Sequence, residues 1–371
     1  VSTNNSFDKI LQDQLDERKA NGLLRSLVSY NDKIDFSSND YLGFAKLPQL
    51  KSSSELPSGA TGSRLITGNP AIAEETEKLI ANFHSTKAAL IFNSGYCANV
   101  GLFSCIAQKG DTIITDEFIH ASIIDGARLS NANRHKFKHN DIADLEKKLL
   151  QAQGKKIVAV ESIYSMDGDE APLKDIVALC KKYNAILIVD EAHAVGIFGE
   201  KGEGLVCTYH LQKDVYACIY TFGKALGLHG AVITGSETLR DYLINHARSF
   251  IYTTALPPHT YVQIQQAYQL LPTANRKALF ALIDQYTTAI KKIKNISFIE
   301  SHSAIQTIII GENNKAKALA NHLTGKGFFA KAILSPTVPA GTERLRICLH
   351  AFNTKEQIDL LLNEVEANLN K

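Results

Sequence analysis

The sequence predicts an α/β fold: a mostly parallel central sheet with helices on both faces, plus a smaller α+β C-terminal domain. Three observations carry this expectation. Six short apolar runs, at residues 88–92, 112–115, 157–160, 185–189, 215–220 and 231–234, are apolar almost throughout, as strands covered on both faces must be. The stretches between them reach ten residues or more, enough for crossover helices. Beyond Ser236 the pattern changes to long helical periods with fewer strand-like runs.

The elements follow in order. Residues 7–22 carry Ile10, Leu11 and Leu15 among charges and end at Gly22, the pattern of an amphipathic helix with a glycine stop. Residues 1–45 are therefore read as an N-terminal arm. A Gly/Ser-rich segment, 57–68, predicts a loop near the start of a large domain, 46–235, that holds the six runs. The smaller domain, 236–371, is expected to contain helices around 260–271 and 277–293, a strand at 305–310, a helix at 315–323 and strands near Phe328 and Leu345.

Bulk properties exclude several function classes. A chain of 371 residues exceeds one ordinary core, which favours two domains. A net charge of +2, with both signs interleaved, offers no basic face for nucleic acid. The six cysteines form no C-x-x-C pair, so free thiols in a reducing compartment are expected. No apolar run approaches the roughly 20 residues that span a bilayer, and the first residues are polar. No membrane partner and a cytoplasmic location are expected. Histidines and cysteines show no metal-ligand spacing, so no metal is expected; His84, His210 and His322 read as ordinary helix or loop residues.

Ligands of an open parallel sheet bind beyond the carboxyl ends of its strands. Polar residues that follow the apolar runs are thus the candidate site: Asn93-Ser94-Gly95-Tyr96, Asp190-Glu191-Ala192-His193 and Thr221-Phe222-Gly223-Lys224. A carboxylate ending a buried strand needs a cation opposite it. For Asp190 alone an ordinary ion pair would suffice, and a pyridinium nitrogen would serve as well. Lys224 alone reads as a surface lysine, but Gly223 lets backbone crowd a ligand, and a lysine held neutral there attacks aldehydes. The segment 93–96 opens a helical pattern, 97–108, whose free N–H groups suit a phosphate or simply a Ser94 cap. Together the three supply an anion cradle, a ring-nitrogen partner and an amine nucleophile, the set of a fold-type I pyridoxal 5′-phosphate (PLP) enzyme. Val189-Asp190-Glu191-Ala192-His193 also spells a helicase acidic box, but the chain lacks the G-x-x-x-x-G-K-[ST] loop that a helicase needs.

With these motifs the chain resembles the α-oxoamine synthases, fold-type I PLP transferases of aspartate aminotransferase-like fold, and most closely their biotin-pathway branch. The likeness runs through residues 35–43, Asn93 to Tyr96, His120-Ala121-Ser122, Ser165-Met166-Asp167-Gly168-Asp169, Asp190 to His193, Thr221 to Lys224, Ser303-Ala304-Ile305-Gln306 and residues 336–346. It implies PLP as cofactor and Lys224 as its Schiff-base lysine and the base at the substrate α-carbon. It implies Asp190 at the ring nitrogen, His193 and Ser165 near the 3′-oxygen, and His120 stacked on the ring. Gly95, Tyr96 and Thr221 are implied as phosphate contacts, with Thr253 and Thr254 contributed by the second subunit of a homodimer.

Arg346, assisted by Asn39 and with His120 nearby, is implied to bind the substrate carboxylate, and Arg25 and Thr337 the acyl substrate. The implied reaction joins an amino acid, L-alanine in that branch, to an acyl-CoA or acyl carrier protein such as pimeloyl-CoA, with loss of CO2. Sibling branches that use glycine or serine stay open, as does, more remotely, an aminotransferase. The chain departs from the biotin-branch pattern at Leu334, Ser335, Glu203 and His229.

Overall fold

The computed structural model describes residues 3–27, 29, 32–50 and 56–369. Its thirteen strands are β1 (Ile34–Asp35), β2 (Ala88–Phe92), β3 (Thr112–Asp116), β4 (Asn133–Phe137), β5 (Lys156–Glu161), β6 (Ala185–Asp190), β7 (Ala217–Thr221), β8 (Ala231–Gly235), β9 (Ser297–Ile299), β10 (Ile305–Ile309), β11 (Phe328–Phe329), β12 (Lys331–Ile333) and β13 (Arg344–Cys348). Seven form the larger sheet in the order β2-β8-β7-β6-β5-β3-β4, and four the smaller one in the order β12-β13-β10-β9. β8 runs antiparallel to both neighbours, and the remaining pairs of the larger sheet are parallel. The smaller sheet is antiparallel throughout.

Helices α1 (Thr3–Ala20), α2 (Ala71–Phe83), α3 (Gly95–Cys105), α4 (Ala121–Leu129), α5 (Ile142–Gln151) and α6 (Leu173–Lys182) precede or cross between these strands. Alternation along each strand divides the core into two layers. Ile91, Val158, Val160, Leu187 and Val189 belong to one layer, and Leu90, Phe92, Ile157, Ala159 and Ile188 to the other. Side chains of a strand point alternately to opposite faces, so apolar residues at every position mean helices on both. The first layer continues to Ile305, Ile308, Leu345 and Ile347 of the smaller sheet, which ties the two sheets into one packed body.

The expected strands are present, with ends shifted by one or two residues. β4 is an addition: its sequence Asn-Arg-His-Lys-Phe is polar because it lies at the sheet edge, where only Phe137 is buried. The segment read as an arm is divided. α1 leaves Phe7, Ile10, Leu11 and Leu15 exposed, whereas β1 pairs in parallel with β11. No helix of the described residues is long and apolar enough to cross a membrane. All six cysteines are free thiols.

Candidate active site

The parallel register sets the site. Glu161 is the Cα partner of Asp190, and Asp190 of Ile219, so the carboxyl ends of β5, β6 and β7 lie side by side. β7 passes into a tight loop in which Phe222 N–H donates to Gly230 O at 2.9 Å, Leu228 N–H to Phe222 O at 2.8 Å and Gly227 N–H to Lys224 O at 2.8 Å. Gly227 has φ +63°, and a Cβ there would stand 2.1 Å from Ala45 N. Only glycine permits this approach, which presents Lys224 over the strand ends.

Lys224 borders a cavity of about 260 Å³ with Asn39, Ser94, Gly95, Tyr96, His120, Asp190 and Thr221 among its other lining residues. Its Nζ lies 2.7 Å from His193 Nε2, and His193 Nδ1 lies 2.7 Å from the Tyr41 hydroxyl. Tyr41 donates to Asn39 Oδ1 at 3.0 Å, and that oxygen also accepts from Arg346 Nη2 at 3.1 Å. The carbonyl oxygen only accepts, so the tyrosine proton points to it and the tyrosine oxygen accepts from His193 Nδ1–H. His193 Nε2 is then the acceptor facing Lys224. Burial, with Lys224 and Arg346 nearby, holds the His193 pKa well below the usual histidine value, so the ring is neutral. Burial likewise brings the Lys224 amine down to about 8, against the opposing pull of Asp190 and Glu161.

Asp190 is held by Asn99 Nδ2 at 2.8 Å and Ala192 N–H at 3.0 Å. Asn99 also donates to Ser122 Oγ at 3.0 Å, which leaves the serine proton for His120 Nδ1 at 2.7 Å. Nδ1 of His120 is thus an acceptor, and His120, the N-cap of α4, keeps its proton on Nε2 at the cavity wall. Glu161 accepts from Ser165 N–H at 3.2 Å; burial and then Asp190 push it up to about 8.

At the other end of the cavity α3 begins. Ser94 caps it by accepting from Cys97 N–H, while the N–H groups of Gly95 and Tyr96 belong to the first turn, which has no intrahelical acceptors. A Cβ on Gly95 would lie 2.6 Å from Thr221 Cγ2, so the cradle exists only with glycine. Glu161 Oε1 and Asn99 Oδ1 are buried without hydrogen-bond partners, and both residues line the cavity. An anion cradle, a buried carboxylate and an amine around one such space fit a phosphorylated pyridine aldehyde.

The other expected residues fall in three places. Arg346 is buried and donates to Ser165 O at 2.8 Å and to Asn39, so Asn39, which lines the cavity, joins it there, while Ser165 lies outside that lining. Thr253 and Thr254 face Asn93, which donates to Thr253 Oγ1 at 3.1 Å and Thr254 O at 2.7 Å; neither lines the Lys224 cavity. Arg25 and Thr337 line a separate cavity of about 560 Å³ between the segment after α1 and residues 329–337. Sequence reasoning passed over Tyr41, Asn99, Ser122, Glu161 and Cys348. Glu161 ends an apolar strand just as Asp190 does, and Asn99 is a polar residue within an apolar helix, so both carried a usable signal. Tyr41 and Cys348, which accepts from Arg346 Nη1 at 2.9 Å, reach the site only through tertiary packing.

Comparisons with known proteins find relatives over nearly the whole chain. Residues 31–365 match the family model "Aminotransferase class I and II". The chain is 40% identical over 367 residues to a putative 8-amino-7-oxononanoate synthase of Bacillus licheniformis, covering 96% of each chain. It is 39% identical over 393 residues to the 8-amino-7-oxononanoate synthase of Emericella nidulans, covering 96% of this chain and 95% of the other. Among solved structures, Sphingomonas wittichii serine palmitoyltransferase superposes with a TM-score of 0.91 at 28% identity, covering 100% of this chain and 98% of that one. The 8-amino-7-oxononanoate synthase of Francisella tularensis gives 0.81 at 29% identity, covering 92% and 98%. A further serine palmitoyltransferase structure, solved with PLP, gives 0.89 at 28% identity, covering 100% and 99%.

Proposed function

The chain belongs to the aminotransferase class I and II family, among the α-oxoamine synthases, and from that premise we propose that it is a PLP-dependent 8-amino-7-oxononanoate synthase. L-Alanine and pimeloyl-CoA, or a pimeloyl carrier protein, give 8-amino-7-oxononanoate, the free thiol and CO2, a step of biotin synthesis. The observation that carries this reading is the buried amine of Lys224, 2.7 Å from a neutral histidine and beside the carboxylate-bearing end of the adjacent strand.

PLP, when bound, supplies an electron sink for the carbanion at the amino acid's α-carbon. The chain's own residues do the rest. Lys224, whose amine burial brings down to about 8 so that an uncharged fraction is available, removes the α-proton at its Nζ. Asp190 would hold the ring nitrogen, and Asn99 and the Ala192 N–H hold Asp190. His120 would pack on the ring, and His193 and Ser165 would hold the 3′-oxygen. Gly95, Tyr96 and Thr221, with Thr253 and Thr254 from a second copy, would take the phosphate. Arg346 and Asn39 grip the substrate carboxylate, fixing the α-C–H bond toward Lys224 so that proton loss precedes decarboxylation. Arg25 and Thr337 meet the acyl substrate in the larger cavity.

Phe7, Ile10, Leu11 and Leu15 of α1, and separately Tyr252, are exposed apolar side chains that a homodimer with shared sites would cover. Six free thiols accord with a cytoplasmic location. The likeness to serine palmitoyltransferases, with the departures at Leu334 and Ser335, favours a sibling synthase (serine palmitoyltransferase, 2-amino-3-ketobutyrate CoA ligase or 5-aminolevulinate synthase) as the second reading. An amino-acid and acyl-donor panel separates them. Alanine with pimeloyl-CoA should release CoA fastest; equal or faster turnover of glycine with acetyl-CoA would overturn the substrate assignment.

A further inference from the structure

The loop between β5 and α6 joins the two sheets. Residues 163–170 close on themselves through Tyr164 N–H to Asp169 O at 3.0 Å, Gly168 N–H to Tyr164 O at 2.8 Å and a bridge between Ile163 and Glu170. Three of the loop's groups engage the region of the smaller sheet. The Asp167 carboxylate pairs with Arg344, Gly168 O accepts from Ser301 Oγ at 2.7 Å, and Ser165 O accepts from Arg346 Nε at 2.8 Å. Arg344 and Arg346 stand two apart in β13 and so share a face. The loop is the template against which both guanidinium groups are set.

On the loop's far side lies His139, outside the Lys224 cavity. Its Nδ1 is 2.9 Å from Asp116 Oδ1 at the end of β3, and its Nε2 is 2.7 Å from Asp169 Oδ2. Ionised carboxylate oxygens only accept, so both ring nitrogens carry hydrogen and the ring is a cation. Phe118 stacks on it at 4.5 Å and Tyr164 meets it edge-on at 4.5 Å, which fixes its plane. Asn140 adds a bond to Asp169 Oδ2 at 2.7 Å and one to Glu170 O at 3.2 Å. The titratable groups that face His139 are Asp116, Glu117 (which accepts its backbone N–H at 2.9 Å), Tyr164, Asp167 and Asp169, and the Arg344 guanidinium joins this group through its pair with Asp167. Asp116 and Asp169 outweigh burial and raise the His139 pKa to about 9.

We propose that His139 is a positioning residue for the amino-acid substrate: as a fixed cation it anchors the 163–170 loop, and the loop sets Arg346 at the angle that grips the substrate carboxylate. This rests on the reading of Arg346 as the carboxylate clamp. Loss of the proton leaves one ring nitrogen with a lone pair facing a carboxylate, which releases Asp116 or Asp169 and slackens the loop.

The test uses the holoenzyme with L-alanine, reading its Kd from the cofactor's absorbance change and its KM from CoA release. His139→Gln at pH 7.5 should raise Kd and KM about five- to tenfold while kcat and PLP content stay within about twofold of wild type, the split expected when binding shared by the ground and transition states is lost. Wild-type alanine affinity should weaken as pH rises through about 9, and that limb should be missing from the variant. Asp169→Asn should move Kd the same way and serves if His139→Gln does not fold. Arg346→Lys is the control. If it leaves alanine binding unchanged, the clamp reading fails and the proposal with it. If it weakens binding while His139→Gln or Asp169→Asn binds alanine like wild type, or loses PLP and kcat at unchanged Kd, the role of His139 alone is overturned.

Discussion

Tyr41→Phe deletes one oxygen and tests the directed chain that ends at Lys224. In the wild type every donor in that chain points from Lys224 toward Asn39. Without the hydroxyl, His193 Nδ1–H has no acceptor in a buried setting, and Asn39 Oδ1 keeps Arg346 as its charged donor. Losing neutral hydrogen bonds of about 0.5–1.5 kcal/mol each, and leaving one buried donor unmet, costs about 2 kcal/mol in all. If that cost falls on the geometry of Lys224, kcat/KM drops roughly 30-fold. A shift of the His193 proton to Nε2 would relieve the unmet donor, but Lys224 would then have to accept, which favours its neutral form. Capture of PLP by the apo chain, trapped with borohydride, should therefore begin at lower pH in the variant than in wild type. Steady-state CoA release and the pH dependence of capture are the two assays, with unfolding midpoints as the control for folding. A folded Tyr41→Phe enzyme within twofold of wild type, with an unshifted capture profile, would show that His193 is not held as described.

Three further outcomes are expected. Because Lys224 sits near 8, raising pH deprotonates it, so the rate of borohydride-trapped PLP attachment to the apo chain should climb through about pH 8 and level off above it; Lys224→Arg should show no such attachment at any pH. Gly95→Ala places a methyl group 2.6 Å from Thr221 Cγ2, an overpacking of about 1–3 kcal/mol, and equilibrium dialysis should show PLP binding weakened by roughly tenfold or more. Arg64→Met removes the bidentate partner of buried Glu77, at 2.8 and 3.2 Å; breaking a buried pair from one side costs about 3–5 kcal/mol, toward the lower figure because Ile91 N–H still donates to Glu77 at 2.9 Å, and denaturant unfolding measures it.

The parts of the fold that the sequence made legible are those where burial decides composition. β2, β5 and β6 are apolar along nearly their whole length because helices cover both faces. β4 escaped because an edge strand can be polar: its exposed residues satisfy the strand geometry without entering the core. The antiparallel direction of β8 left no trace either, since its apolar run looks like those of the parallel strands of the same sheet. At the site, residues at strand ends could be read from their place after an apolar run, whereas the Tyr41 hydroxyl arrives from near the start of the chain and meets His193 by packing alone, and the Cys348 thiol, two positions from Arg346 in β13, comes to the site with it. The 163–170 loop shows the same limit. Its motif was visible as a motif, but the contacts that give it work lie 133 or more residues downstream, with Arg344 and Ser301, or in the loop after β4, with His139.

Charge at the strand ends has one further consequence. Parallel pairing puts Glu161 and Asp190 side by side in the interior, and two adjacent buried carboxylates cannot both ionise cheaply. The protein resolves the competition by unequal solvation. Asp190 receives a side-chain amide and a backbone N–H on its two oxygens, while Glu161 Oε1 has no partner and its carboxyl is pushed up to about 8. Asp190 therefore carries the negative charge and Glu161 keeps its proton near neutral pH. His193, neutral and engaged on both nitrogens, adds no charge to offset it. In the free chain the Lys224 amine, which burial brings down to about 8 against the upward pull of Asp190, is a cation that balances it; once that amine is taken up by a cofactor, a protonated ring nitrogen would meet the same requirement where a neutral ligand would leave the carboxylate uncompensated.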